Sequence, residues 1–213
     1  MIEFKEFEKI ARLNREVIVT EKIDGTNGQV TIVPAGAVGN EPNWSRTAVA
    51  SLNGVVHDIY AGSRSKWITP NADNYGFARW VYDHADELVQ LGEGSHFGEW
   101  WGSGIQRRYG LTEKRWSLFN VGRWVDTHVP PFAPLTDKQQ FAPSCCHVVP
   151  ILAEGVGLSD VIDQAISRLR HEGSVAAPGF KQPEGIIAFH THARTLFKVT
   201  LERDQEPKSM RAA

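Results

Sequence analysis

The sequence predicts an α+β domain built mainly from antiparallel sheets. Short runs rich in β-branched residues open and close the chain, and amphipathic helical stretches are inserted between strands instead of alternating with them regularly. A composition of 41% hydrophobic and 23% charged residues over 213 positions is enough for one buried core. One domain is expected over residues 1–201, followed by a frayed polar tail at 202–213 with no separate C-terminal domain.

The elements follow in order. "EVIVTEKI", residues 16–23, alternates and reads as a strand; "GTNG" supplies turn residues, and "QVTIV" resumes as a second strand, so the two form a hairpin-like pair. Residues 34–57, rich in Pro, Gly and Asn, read as irregular, and "DIYAGSRSKWI" as a further strand carrying basic residues. Phe77, Trp80, Val81, His84, Ala85, Leu88 and Leu91 recur at helical spacing up to Gly92, which predicts one helix. "SHFGEWWG" and "WSLFNVGRWV" are short buried strands around a loop with Arg107, Arg108, Lys114 and Arg115. The proline-rich residues 126–147 read as a long surface connection. A second helix is expected from Ser159, as N-cap, to about His171, with Gly173 as its stop. "EGIIAFH" and "RTLFKVT" close the domain as strands.

Bulk properties exclude several classes. A net charge of −2 leaves nucleic-acid contact to a local patch, no apolar run reaches the roughly 18 residues of a membrane span, and "MIEFKEFEKI" lacks a signal-peptide core. Cys145 and Cys146 are adjacent and alone, so neither a disulfide framework nor a CxxC metal site is expected; a reducing, cytoplasmic setting follows.

"VTEKIDGTNGQV", residues 19–30, holds the chemistry. A free lysine is deprotonated only about 0.04% of the time at neutral pH, so Lys22 is a nucleophile only if its surroundings help. Asp24 alone favours the ammonium form, which points it toward holding a hydrated metal ion, and Gly25 permits close backbone approach. On these four residues alone, a solvated strand-end lysine before a turn is the favoured reading. Glu99 in "FGEWWG", Glu184 before the apolar run of "PEGIIAFH", and Lys198 inside "TLFKVT" are the other charges set in apolar company. His190 and His192 alternate on one strand face, but no third ligand accompanies them.

In the order Lys, Glu, Glu, Lys the chain resembles the covalent nucleotidyltransferases, and more narrowly the T4 RNA ligase 2-like (Rnl2-type) RNA ligases. The stretches that carry the resemblance are "EKIDGTN" at 21–27 (motif I), "GSRSKWI" at 62–68, "FGEWWGSGIQRRYG" at 97–110 (motif III), "WSLFNV" at 116–121 (motif IIIa), "PEGII" at 183–187 (motif IV) and "LFKVT" at 196–200 (motif V). The Thr26-Asn27 pair separates it from DNA ligases and capping enzymes, which usually carry arginine at the second position.

The resemblance implies an adenylation fold with an ATP cleft between sheets, and three-step sealing of 5′-phosphate and 3′-hydroxyl RNA ends through a lysyl-AMP on Lys22. It implies Asp24, Glu99 and Glu184 around Mg²⁺ or Mn²⁺ through water, with Glu99 alternatively on the ribose hydroxyls. Lys198 and Asn27 would lie at the α-phosphate, Arg64 at a phosphate or the 5′ end, and Glu21 at the adenine edge. Phe119 is expected to stack on adenine, with Trp116 the fallback. Arg107 and Arg108 are expected on the nucleic-acid backbone.

The chain also departs from the family pattern. Motif V usually reads K-x-K, whereas Thr200 stands at the second position here, with Arg194 or Lys181 as substitute cations. Motif IV is followed by Ala188-Phe189-His190 where a lysine is usual. Family members commonly carry a further C-terminal domain, and a protein partner that supplies it is one expectation. The expected protein is a compact RNA ligase, of phage or mobile-element origin, acting in the cytoplasm. Two readings compete with it: a DNA or mixed-polymer ligase on the same scaffold, and a non-sealing module that binds nucleotide or RNA ends.

Overall fold

A computed structural model of the protein describes residues 3–37 and 46–202. Thirteen strands and three α-helices occupy this span. In chain order they are β1 (Glu16–Lys22), β2 (Thr26–Pro34), β3 (Ala48–Leu52), β4 (Val55–Gly62), β5 (Trp67–Ile68), α1 (Phe77–Asp83), α2 (Ala85–Leu88), β6 (Gly94–Gly102) and β7 (Lys114–Leu118). They continue as β8 (Trp124–Val125), β9 (Gln140–Phe141), β10 (His147–Val148), β11 (Ile151–Val156), α3 (Leu158–Glu172), β12 (Gly185–His190) and β13 (Thr195–Thr200). The fold is α+β and mostly antiparallel, as expected; only the short pairs β7–β10 and β8–β9 are parallel.

Two sheets carry the architecture. The first has four strands in the order β11-β1-β12-β13, and α3 covers one of its faces. Val17 and Val19 of β1 and Ile186 and Ala188 of β12 meet Val161, Ala165 and Leu169, the i, i+4, i+8 stripe of α3. The second sheet has seven strands, β10-β7-β6-β2-β4-β3 with β5 beside β4. Its covered face packs Phe77 of α1 against Trp100 and Trp116, with ring centroids 5.5 and 5.6 Å apart. Gly28 leaves room for the Phe77 ring, because a Cβ there would stand 2.6 Å from it.

The chain changes sheets twice at one place. Residues 23–25 carry it from β1 in the first sheet to β2 in the second, and residues 149–150 carry it back from β10 to β11. The crossings lie side by side: Val149 N–H donates to the Leu118 carbonyl and Glu21 N–H to the Pro150 carbonyl. Ile23, Trp101, Tyr109, Val149 and Ala177 form a small apolar cluster at this junction. The β1–β2 hairpin predicted from sequence is therefore corrected. Each strand pairs elsewhere, β1 with β11 and β12, β2 with β4 and β6. A short turn between two strands looks the same in sequence whether it folds back or crosses over.

Residues 34–57 are not irregular throughout. β3 and β4 form a hairpin whose Asn53-Gly54 turn takes φ of 52° and 81°, the mirror-image turn that matches strand twist; residues 38–45 lie outside the described span. The single helix expected up to Gly92 breaks at His84, where backbone N–H and ring Nδ1 both approach the Trp80 carbonyl, at 3.0 and 2.8 Å. It continues as α2 and a 3₁₀ turn, Val89–Leu91. α3 starts two residues earlier than expected, with Gly157 in place of Ser159 as N-cap, so Ser159 sits inside its first turn, while Gly173 ends it as predicted. Two short strands, β9 and β10, lie at the end of the proline-rich connection. Of the predicted tail, only Glu202 is among the described residues; 203–213 lie outside them. No helix among the described residues is long and apolar enough to cross a membrane.

Candidate active site

The site forms where the chain crosses between sheets. Strand alternation settles which way each residue of β1 points: Val17, Val19 and Glu21 face α3, and Thr20 and Lys22 face the other way. Register extends this second face across the sheet, as Thr20 pairs with Ile187 and Ile187 with Lys198, while Lys22 pairs with Gly185 and Gly185 with Thr200. Lys22 and Lys198 thus stand on one open face. Lys22 Nζ is ion-paired with Glu184, immediately before β12; the two side chains are 24% and 18% exposed.

Gly25 lets the crossover run tight over β6. A Cβ there would stand 2.4 Å from the Trp100 carbonyl and 2.8 Å from the Trp101 Cβ. That close approach brings Gly25 N–H to Glu99 Oε1 at 3.0 Å, while Asn27 Nδ2 donates to Oε2 at 3.4 Å across the β2–β6 pair. Burial pushes the Glu99 carboxyl up to about 7; Lys22, Asn27 and the Gly25 N–H oppose the rise and Glu184 adds to it. Glu99 is thus poised near neutrality between two protonation states.

Asp24 is held from the β6–β7 loop. Arg107 Nε donates to its Oδ2 at 3.2 Å and Arg107 also binds the Gln182 carbonyl at 3.0 Å. Asp24 N–H donates to the Tyr109 hydroxyl at 2.9 Å, and burial first of all pushes that phenol well above its ordinary range. The loop concentrates backbone strain: Gln106, Arg108 and Tyr109 have φ of 44°, 59° and 51°. Arg107, expected on nucleic acid, is in this structure the clamp on Asp24; Arg108 is exposed beside it.

Other expected residues divide. Glu21 is turned away from the open face and is only 1% exposed. Its carboxylate accepts from Ser174 Oγ at 2.6 Å and from the Val175 and Ala176 N–H groups at 2.8 and 2.9 Å, so the side chain expected at the adenine edge is held within the protein. Burial nevertheless leaves its carboxyl above the usual range. Trp116 is also removed as a stacking candidate, because it lies in the helix-covered core and donates to the Gly28 carbonyl at 3.2 Å. Phe119, just past β7, is 41% exposed on the open face, since it alternates with Ser117, the partner of Glu99.

Arg64 is exposed in the β4–β5 turn, two residues past Gly62, which pairs with Gln29. Neither substitute cation reaches the site. Arg194 is in the turn at the far end of β12–β13, and Lys181 donates to the Glu172 carbonyl at 2.9 Å. Thr200, in the row of Lys22, donates its hydroxyl to the Glu202 carbonyl at 3.0 Å. His190 is buried between the Leu13 carbonyl and the Ala193 N–H, at 2.8 and 3.1 Å, a structural role.

Sequence reasoning missed Tyr109, the clamping role of Arg107, and the aromatic company of Phe119. Phe97, two residues before Glu99, is 53% exposed on the same face, and Trp67 is paired with Gly62 there, its ring 5.7 Å from Tyr60. Strand alternation from Glu99 would have found Phe97. Nothing local marks Tyr109, whose partner is 85 residues away.

A family model for RNA ligases matches residues 15–200, and the chain belongs to that family. No curated protein matches the sequence. Among solved structures, an RNA ligase of Naegleria gruberi, in the apo form of a lysine-to-alanine mutant, is similar at 15% identity and a TM-score of 0.47, over 88% of this chain. The chain spans about half the length of that protein.

Proposed function

We propose that this protein is an ATP-dependent RNA ligase of the T4 RNA ligase 2-like type, which carries AMP on Lys22 and seals 5′-phosphate to 3′-hydroxyl ends. The observation that carries the reading is the convergence of Lys22, Glu184, Glu99 and Asp24 on the sheet crossover, with Lys198 on the same open face as Lys22.

The chemistry follows from these positions. Lys22 Nζ passes a proton to the Glu184 carboxylate that holds it and attacks the α-phosphorus of ATP; the N–P bond forms as the bond to pyrophosphate breaks. Glu184 holds the amine in place before attack and accepts hydrogen bonds from it. Lys198 faces the charge that develops on the α-phosphate, and Asn27 offers an amide N–H₂ beside it. AMP then passes to a 5′-phosphate, and a 3′-hydroxyl displaces it to make the phosphodiester. Phe119 and Phe97 offer an apolar platform for a base.

Asp24, Glu99 and Glu184 are hard oxygen donors suited to Mg²⁺ or Mn²⁺, yet each is tied to a different partner, Arg107, Gly25 N–H and Lys22 respectively. Such a set fits an ion that keeps its own waters better than one bound by all three directly. Bound there, the ion would supply charge neutralisation for the triphosphate.

Incubation with α-labelled ATP and Mg²⁺ tests the reading: a covalent protein–AMP adduct that disappears in Lys22→Ala supports it, and no adduct with any divalent ion refutes it. Joining assays on 5′-phosphorylated RNA, DNA and nicked hybrids then settle the substrate. Thr200 in the row of Lys22, where the family pattern has a second cation, favours a second reading: a module that binds nucleotide or RNA ends without sealing.

A further inference from the structure

Along the row of Glu99, which pairs with Ser117 as Ser117 does with His147, two imidazoles and a carboxylate converge. Asp126 follows β8, His128 lies two residues on, and His147 belongs to β10, the edge of the seven-stranded sheet. One potential ligand atom from each lies within 4.8 Å of the others. The carboxylate is fixed before any ion arrives: Oδ1 accepts from His128 N–H at 2.7 Å, and Oδ2 from Val148 N–H at 2.9 Å and His147 Nδ1 at 3.3 Å. The two imidazole rings are 4.4 Å apart. A cavity of about 400 Å³ opens onto the group, which leaves room for a water or a further ligand. The cations lining it are engaged elsewhere, Arg115 with Glu113 and Lys114 with the Tyr75 carbonyl.

We propose that Asp126, His128 and His147 form a binding site for a Zn²⁺-class transition metal ion, made of residues other than Lys22, Asp24, Glu99 and Glu184. The donor set is two nitrogens and one oxygen, which suits Zn²⁺ and its neighbours over Mg²⁺. Tetrahedral coordination at bonds of about 2.0–2.1 Å needs donors roughly 3.4 Å apart, so the widest pair must close by at most about 1.4 Å. His128 is the member free to do so: it is exposed, and its ring is held only by the Ser144 carbonyl at 2.9 Å.

Asp126 and His147 bracket the proline-rich connection, so an ion between them closes that loop and pins the β10 edge. The same cavity is lined by Val175 and Ala176, whose N–H groups hold Glu21, the residue before Lys22. The role is structural, steadying the β10 edge beside the crossover. It does not depend on the ligase reading.

Calorimetric titration of ZnCl₂ into the chelator-treated full chain tests this, with Co²⁺ as a spectroscopic probe. One ion per chain is expected, with visible d–d absorption from Co²⁺ and a rise in Tm on adding Zn²⁺. His128→Ala and His147→Ala should each weaken binding by at least about tenfold and remove the Tm rise. His171→Ala and Lys22→Ala, both outside the group, should bind as the parent does. Circular dichroism establishes that each variant is folded, and His128, on the surface, is the safer substitution. Absence of a bound ion in the parent, or unchanged binding in folded His128→Ala, overturns the proposal.

Discussion

Replacing Glu99 by Gln should make the fold more stable above neutral pH while it abolishes adenylylation. Burial raises this carboxyl from its ordinary 4.5 to about 7. A group whose proton is held more tightly in the fold contributes stability below pH 4.5, and that contribution is lost as pH rises through 7. At about 1.4 kcal/mol for each tenfold change in proton affinity, keeping the charged form buried costs the native state about 3 kcal/mol by pH 8. Glutamine keeps an acceptor for the Gly25 N–H and never bears that charge. Urea unfolding of parent and Glu99→Gln at about pH 5 and about pH 8 reads the difference. The variant should gain as much as about 3 kcal/mol on the parent at the higher pH and little at the lower. An equal difference at both pH values would refute the argument, because it would mean that the carboxylate is already well solvated or fully compensated by Lys22.

The clamp and the platform give further tests. Arg107→Ala frees the Asp24 carboxylate; adenylylation should fall about tenfold, while stability changes by about 1 kcal/mol or less, since the pair is partly exposed. If adduct formation is unchanged, the clamp has no part in the reaction. Phe119→Ala should raise KM for ATP by about five- to a hundredfold, the range of one base-stacking contact, with Phe119→Trp restoring it; unaltered KM moves the adenine elsewhere, with Phe97→Ala the next variant to measure. Gly54→Ala, at φ 81° in the β3–β4 turn, should cost about 1 kcal/mol in thermal or urea unfolding and leave adduct formation intact.

Much of the site was legible because its chemistry is carried by residues that make no sense as packing. A lysine before Asp-Gly at a strand end, an acid among tryptophans in β6, and an acid before the apolar β12 each demand a partner. The structure brings Lys22, Asp24, Glu99 and Glu184 to one place. Strand periodicity also placed Lys198 correctly within β13. Adjacency of Glu21 to the nucleophile suggests a shared role, yet a strand sends neighbours to opposite faces. Trp116 and Phe119 look interchangeable in "WSLFNV", and only the parity of β7 against Glu99 separates the buried ring from the open one.

What the sequence determined by itself was local: alternation in β1 and β12, the Val161–Leu169 stripe of α3, the stop at Gly173, and the charges that cannot be core. What only the tertiary structure decided was pairing. The two strands around Lys22 belong to different sheets, Arg107 reaches back 83 residues to Asp24, and Asp126 meets His147 across a proline-rich loop. A turn's composition limits its backbone angles but does not say which distant edge will supply hydrogen-bond partners. That choice is made by the burial of both sheets' apolar faces at once, and it is the reason a nucleophile-like lysine lies at the crossing between them.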